Sequence, residues 1–391
     1  MKLAIVVHRY GDGVAGGSEA HARGLAEALR ASHEVEVLTT TARDYLSWKN
    51  EFEPGESTVG GLRVTRHPVM KMRDLSRFAS ISQLVFHEDH TRDDEERWIL
   101  ENGPVCPGLL AAIEARTDID FFLCYSYRYY TGSRAARAAG ARAVLVPTAE
   151  EDEAIRLPVF GELFRQASGF LFLTPEEQEL IERAAGGTLK APCRVIGSGL
   201  NAVPAGPGPR QALSVPSRYA FYAGRIDRNK GVDTLFRYYE WLLAEWPEAP
   251  PLLLAGHPVL QIPAHPKIRH LGYVSDAEKA SLIEGADVVL MPSRYESLSM
   301  IVLEAWALGR PVLANAACAV LEGQCRRSGG GLYYRDYAEF RMMLQHLSGD
   351  ASLRETLGQQ GKSYVEATYS WEKAARETTE LLSELRAGGP R

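Results

Sequence analysis

Short apolar runs alternate along this chain with stretches whose apolar residues recur at helical spacing. Runs at 3–7, 35–38, 120–124, 143–146 and 169–173 predict strands. The segments at 18–30, 108–115 and 130–139 predict helices between them, with Ser18 as the N-cap of the first. Between 43 and 107 the pattern blurs into charges and aromatics, which predicts an insertion on the first domain rather than part of its central sheet.

Residues 197–217 are rich in Gly and Pro and lack periodicity, which predicts a linker. The alternation then restarts, with strands expected at 219–223, 251–255, 288–291 and 311–314 and helices at 232–245, 275–284 and 300–308. Gly309 and Pro311 stop the last of these helices. The tail from 337 to 386 reads as helical throughout. Strand–helix alternation on both sides of a linker predicts two parallel-sheet α/β domains, about 1–200 and 201–370.

Composition narrows the function classes. The 391 residues exceed one ordinary core and suit two. A net charge of −6 argues against a nucleic-acid partner, which calls for a basic excess. Five scattered cysteines form no Cys-x-x-Cys pair, and Cys124 and Cys193 lie in or beside apolar runs, as buried free thiols do. The opening apolar run is too short for a signal peptide, and no stretch reaches the length of a membrane span. The expected setting is the cytoplasm, with contact at the inner face of a membrane left open.

Three segments carry candidate chemistry. The first is 292–314, where an apolar strand ends, a loop carries Glu296, and a helix carries Glu304 about two turns in. Eight helical residues would span roughly 12 Å, the reach from a sugar across a diphosphate to a ribose. Between the two acids lies a helix N-terminus, whose free N–H groups suit a diphosphate. Ordinary loop and helix-surface acids are the alternative. The second is 222–233, in which Gly224 is followed by Arg225 and then Lys230 before a helix. Two cations in a strand-to-helix loop suit a leaving diphosphate, against plain surface cations. The third is 11–19, where glycines permit close backbone approach to a phosphate or sugar, against a simple turn.

Taken together, Gly-Gly-Ser-Glu at 16–19, Gly224-Arg225 with Lys230-Gly231, and Glu296-x7-Glu304 running into Gly309-Arg310-Pro311 resemble family 4 of the retaining glycosyltransferases. Agreement continues through 271–275, 328–334 and 369–372, so it covers nearly all of the second domain. The resemblance implies the GT-B fold: two Rossmann-like domains facing across a cleft, with the last helix, near 371–388, returning to the first. It also implies transfer of a sugar, with retention, from a nucleotide-diphosphate sugar to an acceptor hydroxyl, as in surface polysaccharide or glycoconjugate synthesis. Glu304 would hold the ribose and Glu296 the sugar. Arg225 and Lys230 would bind the diphosphate, with Glu296, Arg225 and Lys230 forming the catalytic set. Gly16, Gly17 and Gly224 would approach the donor closely, Tyr273 and Val274 would read the base through their backbone, and Ser297, Leu298, Ser299 and Met300 would line the donor site. No metal or other cofactor is implied. The partners implied are a nucleotide-sugar donor and a saccharide or lipid-linked acceptor.

Two departures from the family pattern matter. The first-domain histidine found in many members is missing from 124–130, and 148–153 lacks the His-Asp pair frequent in relatives, leaving Tyr125 and Tyr127 in the first stretch and Glu150 in the second as candidates. Glycines usual after the first glutamate are replaced by Ser297 and Ser299. Rival readings on the same architecture are a nucleotide-sugar epimerase, a phosphorylase and a degenerate nucleotide-sugar-binding protein. Gly11-x-Gly13-x-x-Gly16 imitates a dinucleotide fingerprint, but three residues separate it from the strand and no acid ends the second strand. Asp118 and Asp120 precede a strand, where a metal motif would end one, and His87 and His90 lack the further ligands that a metal needs.

Overall fold

The computed structural model describes residues 1–14, 16–200 and 215–388. The chain divides into two compact units, Met1–Gly199 with Ser370–Arg391, and Leu200–Tyr369. The central part of the expected linker, 201–214, lies outside the described residues.

The first unit runs β1 (Lys2–Val6), α1 (Gly17–Leu29), β2 (Glu34–Thr40), β3 (Gly55–Val59), β4 (Leu62–His67), α2 (Leu75–His87), α3 (Arg92–Asn102) and α4 (Pro107–Ala115). It continues with β5 (Phe121–Tyr125), α5 (Tyr130–Ala139), β6 (Ala143–Val146), α6 (Pro158–Gln166), β7 (Gly169–Phe172), α7 (Pro175–Ala185) and β8 (Cys193–Val195). The sheet order is β3-β4-β2-β1-β5-β6-β7-β8. β5, β6 and β7 are buried at every residue, because helices cover both faces of a parallel sheet and favour unbroken apolar runs.

The stretch 43–107 differs from expectation. β4 pairs in parallel with β2 and β3 closes the edge antiparallel, so 55–67 belongs to the central sheet. The signal was faint because β3 is exposed along most of its length, and only Leu62, Val64 and Arg66 of β4 turn inward. α2 and α3 form a hairpin outside the sheet, and Ile81, Val85, Trp98 and Ile99 join the core. A capping box at Thr91 and Asp94 fixes the start of α3.

The second unit runs β9 (Ala220–Ala223), α8 (Val232–Glu245), β10 (Leu252–Ala255), β11 (Ile268–His270), α9 (Asp276–Gly285), β12 (Val288–Met291), α10 (Met300–Ala307), β13 (Val312–Asn315), α11 (Ala319–Ser328), β14 (Gly331–Tyr334), α12 (Tyr337–Gly349) and α13 (Ala351–Thr368). Its all-parallel sheet has the order β11-β10-β9-β12-β13-β14. The order reverses beside β9, and the crevice at the carboxyl ends of such a sheet is where α/β proteins place ligands.

The last helix, α14 (Trp371–Ala387), belongs to the first unit and packs on α1. A Cβ at Gly24 would lie 2.0 Å from the Trp371 indole, and one at Gly199 2.2 Å from it. These two glycines make the seat for that ring.

Candidate active site

In the second unit the loop following β9 is pressed between its neighbours by backbone contact. A Cβ at Gly256, after β10, would stand 2.0 Å from the Gly224 carbonyl, and one at Gly231 would stand 2.1 Å from the Pro292 carbonyl. Gly231 also has φ +69°, a conformation open to glycine at little cost. The Asn315 side chain donates to the same Pro292 carbonyl at 3.0 Å, tying β13 to the loop after β12. Asp227 organises the interior of the β9 loop: it accepts from the Lys230 backbone N–H at 2.8 Å and pairs with Arg225 at 3.2 Å. The Tyr222 hydroxyl donates to the Arg225 carbonyl at 2.6 Å.

That packing delivers Lys230 to Glu296, with Nζ 2.7 Å from Oε1. Two residues from separate sequence motifs are therefore in direct contact. Glu296 is nearly buried, and an ion pair there persists because each charge compensates the other's lost hydration.

α10 begins at Met300, so only the second half of the Glu296-to-Glu304 spacing is helical, and Glu304 lies in the second turn. Ser299 is the N-cap residue but makes no side-chain cap, and its buried hydroxyl has no hydrogen-bond partner among the described residues. Glu304 contacts Lys279 of α9 at 3.0 Å through Oε1, while its buried Oε2 has no such partner. Burial pushes the Glu304 carboxyl up from the usual carboxylate range, and Lys279 opposes that shift. A buried acceptor and a buried hydroxyl left unsatisfied on one helix are costly in isolation, and both would be relieved by a polar ligand.

Tyr273 and Val274 lie between β11 and α9, beside Gly272, whose carbonyl accepts from Gly256. The Tyr273 ring is 89% exposed. Leu298 is buried, and Ser297 precedes it in the loop that leads into α10.

In the first unit, Gly16 precedes α1 and Gly17 opens it. Ser18 is inside the helix rather than at its N-cap, and donates to Glu19 at 2.8 Å. Glu19 is buried and contacts His8 Nε2 at 2.9 Å and the Arg9 guanidinium. A Cβ on Gly16 would meet Glu19 Oε2 at 2.2 Å, so glycine is required beside this fixed carboxylate. His8 and Arg9 escaped the sequence reading because nothing in their spacing ties the end of a strand to the third residue of the next helix.

Tyr125 and Tyr127 are fully buried. The Tyr125 hydroxyl bonds His21 at 2.9 Å, and the other ring nitrogen of His21 meets the Gly197 carbonyl. Tyr127 packs edge-on against Phe160 and Phe164. The buried Tyr127 hydroxyl has no hydrogen-bond partner among the described residues. Glu150 is half-buried after β6, near Ser126 and Thr148, two non-glycine residues with positive φ whose hydroxyls lie 2.9 Å apart. Such strained positions gather at functional sites, and only their conformation reveals them.

Residues 217–348 match the family model described as Glycosyl transferases group 1. A D-inositol 3-phosphate glycosyltransferase of Corynebacterium urealyticum is 30% identical over 197 residues, 45% of this chain and 46% of the relative. A GDP-mannose-dependent monoacylated alpha-(1-6)-phosphatidylinositol monomannoside mannosyltransferase of Corynebacterium glutamicum is 26% identical over 171 residues, 40% of this chain and 45% of the relative. The matches thus span less than half the length of these curated relatives. Among solved structures, sucrose-phosphate synthase from Thermosynechococcus elongatus aligns with TM-score 0.73 at 20% identity, over 99% of this chain and 100% of that one. HepE of Anabaena, in complex with UDP and glucose, aligns with TM-score 0.69 at 16% identity, over 98% and 100%. At these identities the structures establish the GT-B fold alone.

Proposed function

We propose that this chain, whose residues 217–348 match the family model of the glycosyl transferases group 1, moves a sugar from a nucleotide-diphosphate donor to an acceptor hydroxyl with retention at the anomeric carbon. The observation that carries the proposal is the constellation on the second unit. Lys230 is in contact with Glu296, and α10 presents an unsatisfied Ser299 hydroxyl and an unsatisfied Glu304 oxygen. Glu304 would take the ribose hydroxyls, Glu296 the sugar hydroxyls, and Arg225 and Lys230 the diphosphate. Gly224, Ser297, Leu298 and Met300 would line the donor, the backbone at Tyr273 and Val274 would lie along the base, and Gly16 and Gly17 would approach the phosphate or acceptor.

Lys279 joins this set as the cation that opposes the upward shift burial gives the Glu304 carboxyl. In the first unit Tyr125, Tyr127 and Glu150 remain candidates for the acceptor side. The acceptor hydroxyl would attack on the face from which the nucleoside diphosphate departs, passing its proton to a diphosphate oxygen. Arg225 and Lys230 would stabilise the charge that grows there, the work a divalent cation does elsewhere, so the reaction would need no metal. A saccharide or lipid-linked acceptor in glycoconjugate or polysaccharide synthesis fits the reading, set in the cytoplasm and with membrane contact where the acceptor is lipid-linked. The transferase names of the relatives favour transfer over epimerisation, phosphorolysis or simple binding.

Calorimetric titration with UDP, GDP, ADP and dTDP tests the site. One of them should bind the wild-type chain, and Glu304→Ala should weaken that binding by about 1.5–3 kcal/mol, as for hydrogen bonds to a charged group. Equal affinity in a folded variant would remove Glu304 from the donor site.

A further inference from the structure

Five of the ten large apolar side chains exposed among the described residues crowd one face of the first unit: Leu46, Met70, Met72, Leu75 and Leu100. Met70 is 72% exposed and the others 42–57%. They come from three segments clamped into one rigid platform. The Arg73 backbone N–H donates to the Ser47 carbonyl at 2.8 Å, and its guanidinium donates to the carbonyls of Tyr45 at 3.0 Å and Asn102 at 2.6 Å. Lys71 pairs with Glu101 at 2.7 Å, and buried Trp48 donates to the Asn102 carbonyl beneath them. Burying those polar groups leaves the apolar side chains outermost.

The charge around this face runs against that of the whole chain. Within 43–53, 70–77 and 97–102 the exposed charged residues are Arg43, Lys49, Arg77 and Arg97 against Glu51, Glu53 and Asp74, a cationic excess in a protein of net charge −6. The Asp74 carboxylate is itself engaged as the N-cap of α2. The α2–α3 hairpin is polarised the same way: exposed Glu88, Asp89 and Asp93 lie at its far, connecting end.

We propose that this face docks on an anionic lipid bilayer, with Met70, Met72 and Leu75 entering the headgroup layer and the four cations meeting lipid phosphates. An apolar platform rimmed by cations matches such a surface in both terms, hydrophobic and electrostatic. A second copy of the chain fits worse, because a two-fold contact would set four exposed cations against four. The acidic end of the hairpin would face away from the lipid. The inference deepens the membrane contact proposed above for a lipid-linked acceptor, and its test uses no sugar donor, so the two readings fail separately.

Co-sedimentation of the full chain with vesicles tests it without any sugar donor. The wild-type chain binds vesicles of phosphatidylcholine mixed with phosphatidylglycerol, less so at high salt, and binds phosphatidylcholine alone weakly. The combined variant M70D/M72D/L75D lowers that partitioning about tenfold or more, and R43E/K49E lowers it about fivefold or more. Met342→Asp, which removes an exposed apolar side chain of the second unit, leaves it unchanged. Circular dichroism confirms folding, and Met72→Asp alone serves if the combined variant is unstable. Absence of wild-type binding to the mixed vesicles, or variants that bind as the wild type does, overturns the proposal. So does a self-association in sedimentation velocity that the same substitutions abolish while vesicle binding persists.

Discussion

At the start of α1 several groups converge on one carboxylate. Burial pushes Glu19 toward the neutral form, yet the His8 imidazole, the Arg9 guanidinium and the Ser18 hydroxyl hold its pKa down at about 2, from an ordinary 4.5. A folded-state value below the unfolded one stabilises the fold above pH 4.5, and that contribution is lost as pH falls through the folded value. The difference amounts to on the order of 3 kcal/mol. Urea unfolding should therefore show Glu19→Gln much less stable than wild type at neutral pH, with the gap closing as pH falls from 4.5 toward 2. A gap independent of pH would mean that Glu19 contributes packing rather than charge. Gly16, Gly17 and Glu19 were readable in sequence as a motif, but the reason for it, a buried ion cluster with His8 and Arg9, was not. Likewise Glu304 stood out in the motif, while Lys279 is 25 residues away on another helix and gave no local sign.

Among the elements, those long enough to show a full period were legible: α5, α8, β6 and β12 span the ranges that their apolar spacing predicts. The three-residue strands β8 and β11 are too short to alternate, and β3 has almost no buried face. The β9–α8 loop was legible as chemistry because its glycines and cations are contiguous, although its partners, Gly256 and Pro292, became visible only in space. This element carries the catalytic charge in the proposal, which makes it testable by kinetics. Lys230→Ala should lower kcat about 10²–10³-fold, the worth of one group that stabilises developing charge, and should raise donor KM less. Gly256→Ala should displace the loop through contact with the Gly224 carbonyl, lower kcat and cost about 1–3 kcal/mol of stability. A Lys230→Ala enzyme with wild-type kcat and only a raised KM would make the loop a donor anchor and nothing more.

On the scale of the whole molecule, the chain builds two sheets, parallel but for the β3 edge of the first, each with its own core, and sends α14 back to the first unit. That division followed from strand–helix alternation on either side of a Gly/Pro-rich stretch. The seat of Trp371 against Gly24 and Gly199 did not, because it joins residues far apart in the sequence. The side chains proposed to hold the donor, Arg225, Lys230, Glu296 and Glu304, all lie within 217–348, the stretch that the family match covers, whereas the first-unit candidates have no comparable signature. Glycosyl transfer with retention is the central claim, and proton NMR of the reaction tests it most directly. The enzyme would be incubated with UDP-, GDP-, ADP- and dTDP-sugars and a mixture of sugar-phosphate and lipid-linked acceptors, and the anomeric proton followed. The account predicts that one donor is consumed with release of its nucleoside diphosphate, and that the product's anomeric coupling shows the donor's own configuration. A product of inverted configuration, or no consumption of any donor, would contradict it.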